Sequence, residues 1–128
     1  MARILALIPD LLFGSRVQGA LAAAGFEVEL VGDEGPLRGR LGGGEGPDGG
    51  MAAVLVVDLT NPDLDGPALL ESLSGEGVLG QRTRTLGFYS HIDGEARVRA
   101  EQAGFDLVVP RSRMAREGPQ LVERLARD

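Results

Sequence analysis

Apolar runs alternate with helical periodicities along the chain. Five apolar or alternating segments are typical of β-strands, and they lie at residues 4–8, 27–31, 52–57, 85–89 and 107–109. Between strands, apolar residues recur at helical spacing, as in Val17, Ala20, Leu21 and Ala24. Strands separated by helical crossovers predict a parallel sheet with helices on both faces. The sequence therefore predicts an α/β fold with a doubly wound, five-stranded parallel sheet.

Three local features modify this picture. Residues 27–31 alternate charged and apolar side chains, which is typical of a strand at the edge of a sheet. Residues 32–50 contain nine glycines and two prolines, so a flexible Gly-rich surface loop is expected there, with the second helix weak or replaced. A phosphate-cradling loop is rejected, because such loops open a helix and this segment leads into a strand. The last helix is expected to carry Pro119 near its start.

Length and composition predict one soluble domain spanning residues 1–128. No apolar run approaches the roughly 20 residues of a membrane span, and the N-terminus lacks a signal-peptide pattern, so a cytoplasmic protein without membrane contact is expected. The net charge of −6 argues against binding nucleic acid. All 13 basic residues are arginine and cysteine is absent, which excludes lysine-amine and thiolate chemistry.

The functional crevice of a doubly wound sheet lies beyond the carboxyl ends of its strands. The polar residues expected at that edge are Asp10, those of segment 58–65, Ser90 with His91, and Arg111. His91 is the only histidine, so no histidine cluster can hold a metal, and we expect it to be a polar surface residue. No Ser-His-Asp arrangement is visible, and an enzyme is not predicted.

The segment from Asp58 to Gly66 resembles the one that follows the third strand of response-regulator receiver domains. In both, an aspartate ends an apolar strand, a proline follows four residues later, and Asp-Gly follows at seven and eight; here these are Asp58, Pro62, Asp65 and Gly66. Gln-Ala-Gly at 102–104, before the fifth strand, is also similar. The resemblance extends over the whole chain and implies a flavodoxin-like, CheY-like receiver fold. From the residues alone, Asp65 is expected to cap the third helix.

The resemblance implies phosphoryl transfer from a histidine kinase to Asp58. Mg²⁺ would be held by Asp10, Asp58 and the backbone carbonyl of Thr60, and weakly, since most receivers carry two adjacent acids where Asp10 stands alone. The switch residue that bonds the phosphoryl group would be Ser90, or Tyr89 if the register shifts by one.

The lysine that ends the fifth strand of receivers is missing here. Its place falls at Pro110 or Arg111, and Arg111 is the candidate substitute, although a planar guanidinium does not duplicate a compact ammonium. Asp58 is then either a phosphoacceptor or a structural residue that accepts hydrogen bonds from loop amides.

Three functions stay open. The leading hypothesis is a stand-alone atypical receiver, or pseudo-receiver, that signals through protein–protein contact. The first alternative is a working two-component phosphoacceptor that uses Asp58 and Mg²⁺, and the second is a flavodoxin-like sensor of a small ligand.

Partner predictions follow from the basic C-terminal third. The arginines at 97, 99, 111, 113 and 116 predict a basic face over residues 93–127. Such a face suits an acidic protein partner, or a second copy of the chain in a homodimer. A histidine kinase is the partner that the phosphoacceptor hypothesis requires.

Overall fold

The computed structural model describes residues 2–42, 52–79, 83–90 and 92–127. Strands and helices alternate, in the order β1 Arg3–Leu7, α1 Leu11–Ala23, β2 Glu27–Val31, α2 Glu34–Gly42, β3 Val54–Asp58, α3 Gly66–Gly75, β4 Arg84–Tyr89, α4 Gly94–Ala103, β5 Leu107–Pro110 and α5 Arg111–Arg127. The strands form one parallel sheet in the order β2-β1-β3-β4-β5. The predicted parallel sheet is confirmed, and β2 lies at an edge as expected.

The core has two layers, one on each face of the sheet. Because successive side chains of a strand point to opposite faces, Ile4 and Ala6 of β1 enter one layer, and Leu5 and Leu7 enter the other. The first layer packs the sheet against α1 and α5, and the second packs it against α2, α3 and α4. β1 and β3 are thus buried on both faces, which explains their continuous apolar sequences.

The second helix is present, so the prediction that a loop replaces it was wrong for residues 34–42. Tertiary contacts outweigh the poor helix propensity of its glycines. Leu37 is fully buried in the second layer, and Arg38 bonds both Glu76 and Ser72 of the neighbouring α3 region at 2.9 Å. Pro36 lies in the first turn, where a missing amide costs no intrahelical bond. The rest of the predicted Gly-rich loop, residues 43–50, lies outside the described residues.

Pro119 lies inside α5, which begins eight residues earlier at Arg111, so the expectation of a helix starting near Pro119 was wrong. A proline inside a helix removes one hydrogen bond and costs about 3 kcal/mol. Buried side chains on both sides of it offset that cost, with Met114 before the proline and Leu121, Val122 and Leu125 after it.

Three aspartates begin helices of the sheet's carboxyl edge. Asp65 Oδ1 accepts a hydrogen bond from the Ala68 amide, as predicted for a helix cap, and Asp93 Oδ1 does the same with the Ala96 amide, both at 3.1 Å. Asp10 caps α1. Capping fixes where each helix leaves the sheet and so shapes the crevice.

Leu59 locks the end of β3 against the neighbouring strand. Its amide donates to the Phe88 carbonyl at 2.9 Å. A Cβ at Gly87 would lie 2.7 Å from Leu59 Cδ1, and a Cβ at Gly66 would also clash with the Leu59 side chain. Two glycines therefore leave room for Leu59, directly beside Asp58.

Candidate functional site

Asp10 uses both of its carboxylate oxygens. Oδ1 accepts from the amides of Leu12 at 3.0 Å and Phe13 at 3.1 Å, and Oδ2 accepts from Nη2 of Arg111 at 3.2 Å. The two amides belong to the first turn of α1, where helical amides lack intrahelical partners. Asp10 is therefore at once a helix cap and half of an ion pair.

Arg111 lies over an aromatic ring as well as beside a carboxylate. Its Cζ atom is 4.2 Å from the centroid of the Phe13 ring, and that ring is 5.1 Å from the ring of buried Phe88. A guanidinium over a ring face gains a cation–π interaction. Arg111 is the first residue of α5, directly after β5, so backbone, ring and carboxylate together hold the guanidinium beside Asp10 and Phe13.

The hydrogen bond from the Phe13 amide is the main cause that holds the pKa of Asp10 below its ordinary range, and the bond and charge of Arg111 lower it further against the opposing effect of burial. Asp10 is thus ionised at neutral pH.

Asp58 ends β3 and is almost fully buried, with 2% of its surface exposed. Its Oδ1 accepts from the Thr60 amide at 2.7 Å and from the Thr60 hydroxyl at 2.6 Å. Both donors lie in the loop that follows the strand. The carboxylate is therefore tied to its own loop by two short, charge-assisted bonds.

The carboxylates of Asp10 and Asp58 both have partners within the chain. Among the residues that the structure describes, no group of three or more His, Cys, Asp or Glu side chains could hold a metal ion. Asp10 already binds a guanidinium and two amides, and Thr60 contacts Asp58 through its amide and hydroxyl. The roles predicted for Asp10, Asp58 and Thr60 as metal ligands stay predictions.

Three predicted site residues meet in one cleft of about 540 Å³ at the carboxyl edge of the sheet. Thr60, Ser90 and Arg111 line it together with Phe13, Arg16, Ser112 and Ala115. Ser90 directly follows β4, whereas Tyr89 is buried with 7% of its surface exposed. His91 lies outside the described residues.

Sequence reasoning missed Arg16 and Ser112. Arg16 is three residues after Phe13 on α1, so the two share a helical face. That spacing could have predicted that Arg16 lies beside Phe13. Ser112 follows Arg111 in the first turn of α5. The sequence did not show that α5 starts at Arg111, so it could not place Ser112 at the cleft.

Much of the charge of the basic face predicted over residues 93–127 is paired within the chain. The five arginines from which that face was predicted have carboxylate partners, which are Glu101 for Arg97, Asp65 for Arg99, Asp10 for Arg111, and Glu117 for both Arg113 and Arg116. These pairs are exposed and contribute little stability. They do, however, lower the net positive charge that an acidic partner would meet. Docking of such a partner and homodimerisation through this face stay predictions.

None of the helices in the described part of the chain is long and apolar enough to cross a membrane.

No protein-family model and no curated protein sequence matches this chain. Solved structures do match it. The receiver domain of the Francisella response regulator 1452 is similar at 16% identity and a TM-score of 0.80, over 99% of this chain and 98% of that one. The receiver domain of the TMAO respiratory system response regulator TorR is similar at 18% identity and a TM-score of 0.80, over 98% and 96%.

The Mn²⁺-bound form of response regulator Rcp1 is similar at 16% identity and a TM-score of 0.73, over 98% of this chain and 91% of that one. At such identities the likeness is one of fold. The chain has the fold of response-regulator receiver domains, with five parallel strands in the order 2-1-3-4-5 and five helices.

Proposed function

We propose that this chain is a receiver-like signalling module that acts through protein–protein contact and is not switched by phosphorylation of Asp58. The observation that carries the proposal is the ion pair between Arg111 and Asp10. In the phosphoacceptor chemistry that the resemblance implies, a divalent cation at this edge neutralises charge on the phosphoryl oxygens. Here a cation of the chain itself contacts the acid that would help to hold the metal.

Binding Mg²⁺ at Asp10 would disrupt existing bonds. Mg²⁺ demands oxygen ligands in near-octahedral geometry and gives up its own waters reluctantly. The ion would compete with Arg111 for Oδ2 and with the first-turn amides of α1 for Oδ1. Solved Rcp1 holds Mn²⁺ in the same fold, so the fold permits a metal, and the donor set of this chain is what disfavours one.

The hydrogen bonds of Asp58 support a structural role for this residue. One oxygen of Asp58 already accepts two short hydrogen bonds from Thr60, and the residue is almost fully buried. These bonds give Asp58 a structural role, which is to fix the loop between β3 and α3.

Exposed apolar side chains near the cleft support a role in protein contact. Leu11 and Leu12 open α1 directly after Asp10 and are 75% and 82% exposed, and Ile92 follows β4 and is 83% exposed. Since β1 and β4 end at the same edge of a parallel sheet, all three lie at its carboxyl edge. Exposed apolar side chains at one edge of a domain are typical of interaction surfaces.

The test is an amide NMR titration with Mg²⁺ and then with beryllofluoride, a phosphoryl mimic. We expect no coupled shifts at Asp10, Asp58, Ser90 and Arg111. In parallel, the protein is exposed to a small phosphodonor, and its mass is compared with that of the Asp58→Asn variant. Coupled shifts, or a phosphoryl adduct that the variant lacks, would overturn the proposal and establish the phosphoacceptor function, with a histidine kinase as the expected partner.

A further inference from the structure

Arg16 has no carboxylate partner among the residues that the structure describes. Ten arginines of the described chain have a carboxylate within 4.0 Å. Within the described ranges, Arg16 and Arg124 form no such ion pair. In a chain with a net charge of −6 and so many internal ion pairs, an exposed cation beside a cleft is available to an anion from outside.

Arg16 also lies where two cavities meet. The cleft of about 540 Å³ at the carboxyl edge adjoins a groove of about 350 Å³ between α1 and α5, and both are lined by Phe13, Arg16 and Ala115. The groove walls beyond this junction are mostly apolar or small, and they include Val17, Leu21, Met114, Gly118 and Pro119. A cleft that carries two guanidiniums and a mostly apolar groove are therefore adjacent, and Arg16 lines both.

The cleft offers hydrogen-bond donors to an oxyanion. Two guanidiniums and two hydroxyls can donate into it, from Arg16, Arg111, Ser90 and Ser112, and no carboxylate is among its described lining residues. The hydroxyl of Thr60, which also lines the cleft, donates to Asp58 instead. A guanidinium has five N–H donors, so Arg111 keeps donors beyond the one that contacts Asp10. Arg111 and Ser112 also lie in the first turn of α5, where the helix dipole favours negative charge.

We propose that the cleft and the groove together bind one small amphiphilic anion, with its carboxylate or phosphate head against Arg16 and Arg111 and its apolar body between α1 and α5. Both volumes fall within the roughly 300–1,000 Å³ of small-ligand sites. The inference rests on the proposed function in one respect, namely that the ligand, rather than phosphorylation, regulates the module. Binding itself does not require that premise.

The experiment follows amide shifts and binding heat of the full chain on titration with acetate, butyrate, hexanoate and octanoate. Octyl phosphate, inorganic phosphate and octanol are titrated in parallel. Each methylene that enters the groove is expected to tighten binding by about fourfold until the groove is full. Shifts are expected at Arg16, Ala115 and Gly118. Octanoate and octyl phosphate compared with each other identify the preferred head group.

Variants test the head-group contact and the apolar groove separately. Arg16→Gln is expected to weaken octanoate binding by about tenfold or more, since a charge-assisted hydrogen bond is lost. Arg124→Gln is the matched control, because Arg124 likewise forms no ion pair in the described chain yet lines neither cavity. Gly19→Leu fills the groove at a helical position where an added Cβ meets nothing within 4 Å, and it is expected to abolish the dependence on chain length.

Four outcomes would overturn the inference: no shift with octanoate or octyl phosphate, equal affinity for inorganic phosphate and octyl phosphate, equal affinity for octanol and octanoate, or unchanged binding in Arg16→Gln. Failure of the proposed function is seen separately, as a beryllofluoride response at Asp58 in protein without any of these ligands.

Discussion

Nη2 of Arg111 lies 3.2 Å from Oδ2 of Asp10, a residue 101 positions earlier in the chain. The contact joins the start of α1 to the start of α5 across the carboxyl edge of the sheet. It places a positive charge of the chain beside Asp10, one of the residues predicted to hold Mg²⁺.

Arg111→Gln is expected to raise the pKa of Asp10. The increase is partial, because the Phe13 amide, the largest cause of the lowered pKa, is still present. With its folded-state pKa below the unfolded value of about 3.9, Asp10 stabilises the fold above that pH, and this contribution is lost as the pH falls through the lowered pKa. The variant should lose less stability over the acid range. NMR titration of the Asp10 carboxyl carbon measures the shift.

Arg113→Gln is the control for that titration, since Arg113 pairs with Glu117 rather than with Asp10. An Asp10 pKa that is the same in wild type and Arg111→Gln, or that moves equally in both variants, would show that the ion pair does not form in solution.

Thr60→Val is expected to lower the free energy of unfolding by about 1.5–3 kcal/mol, the range for a hydrogen bond to a charged group. The change removes the hydroxyl that bonds the buried Asp58 carboxylate and keeps the β-branched shape. Thr60→Ser keeps the hydroxyl and should retain most of the stability. Urea denaturation measures both, and equal midpoints for the two variants would contradict the assigned bond.

Leu37→Ala is expected to destabilise the protein by about 2–5 kcal/mol, as large-to-small changes in a core do. Leu37 is fully buried although it lies in a Gly-rich helix. Leu11→Ala is the matched control, because Leu11 is 75% exposed and its truncation should change stability by no more than about 0.5 kcal/mol. If Leu37→Ala is as mild as Leu11→Ala in chemical denaturation, α2 does not pack as described.

Two glycine substitutions should have opposite effects on the thermal midpoint. Gly39→Ala is expected to stabilise α2 by about 0.5–1 kcal/mol, since an added Cβ meets nothing within 4 Å and alanine favours helix. Gly104→Ala is expected to destabilise the protein, because φ at Gly104 is 105°, a left-handed conformation that ends α4. A rise in the midpoint of Gly104→Ala, or a fall in that of Gly39→Ala, would contradict the two backbone conformations.

The strands of this fold could be predicted from the sequence because buried parallel strands are continuous apolar runs, as in residues 54–57. Their parallel arrangement followed from the helices between them. The second helix could not be predicted from the sequence. Its glycines and Pro36 argue against a helix, and what stabilises it is burial of Leu37 and the bonds of Arg38 to residues more than 30 positions away.

The site, too, has residues whose positions could be predicted from the sequence and residues whose positions could not. The positions of Asp58, Ser90 and Arg111 at the carboxyl edge were predictable because the ends of parallel strands meet there, and each directly follows or ends a strand. Arg16 lies in the middle of α1, and only the packing of α1 beside α5 brings it to the cleft. Pairing between Arg111 and Asp10 is likewise a tertiary contact that no local pattern encodes.

The packing of Leu59 makes residues 59, 66 and 87 mutually dependent in evolution. While leucine occupies position 59, alanine at 66 or 87 collides with its methyl groups. The atoms that such an alanine would meet are the methyl ends of one flexible side chain, so either replacement requires Leu59 to move. A shorter residue at position 59 is therefore expected to make both glycines easier to replace.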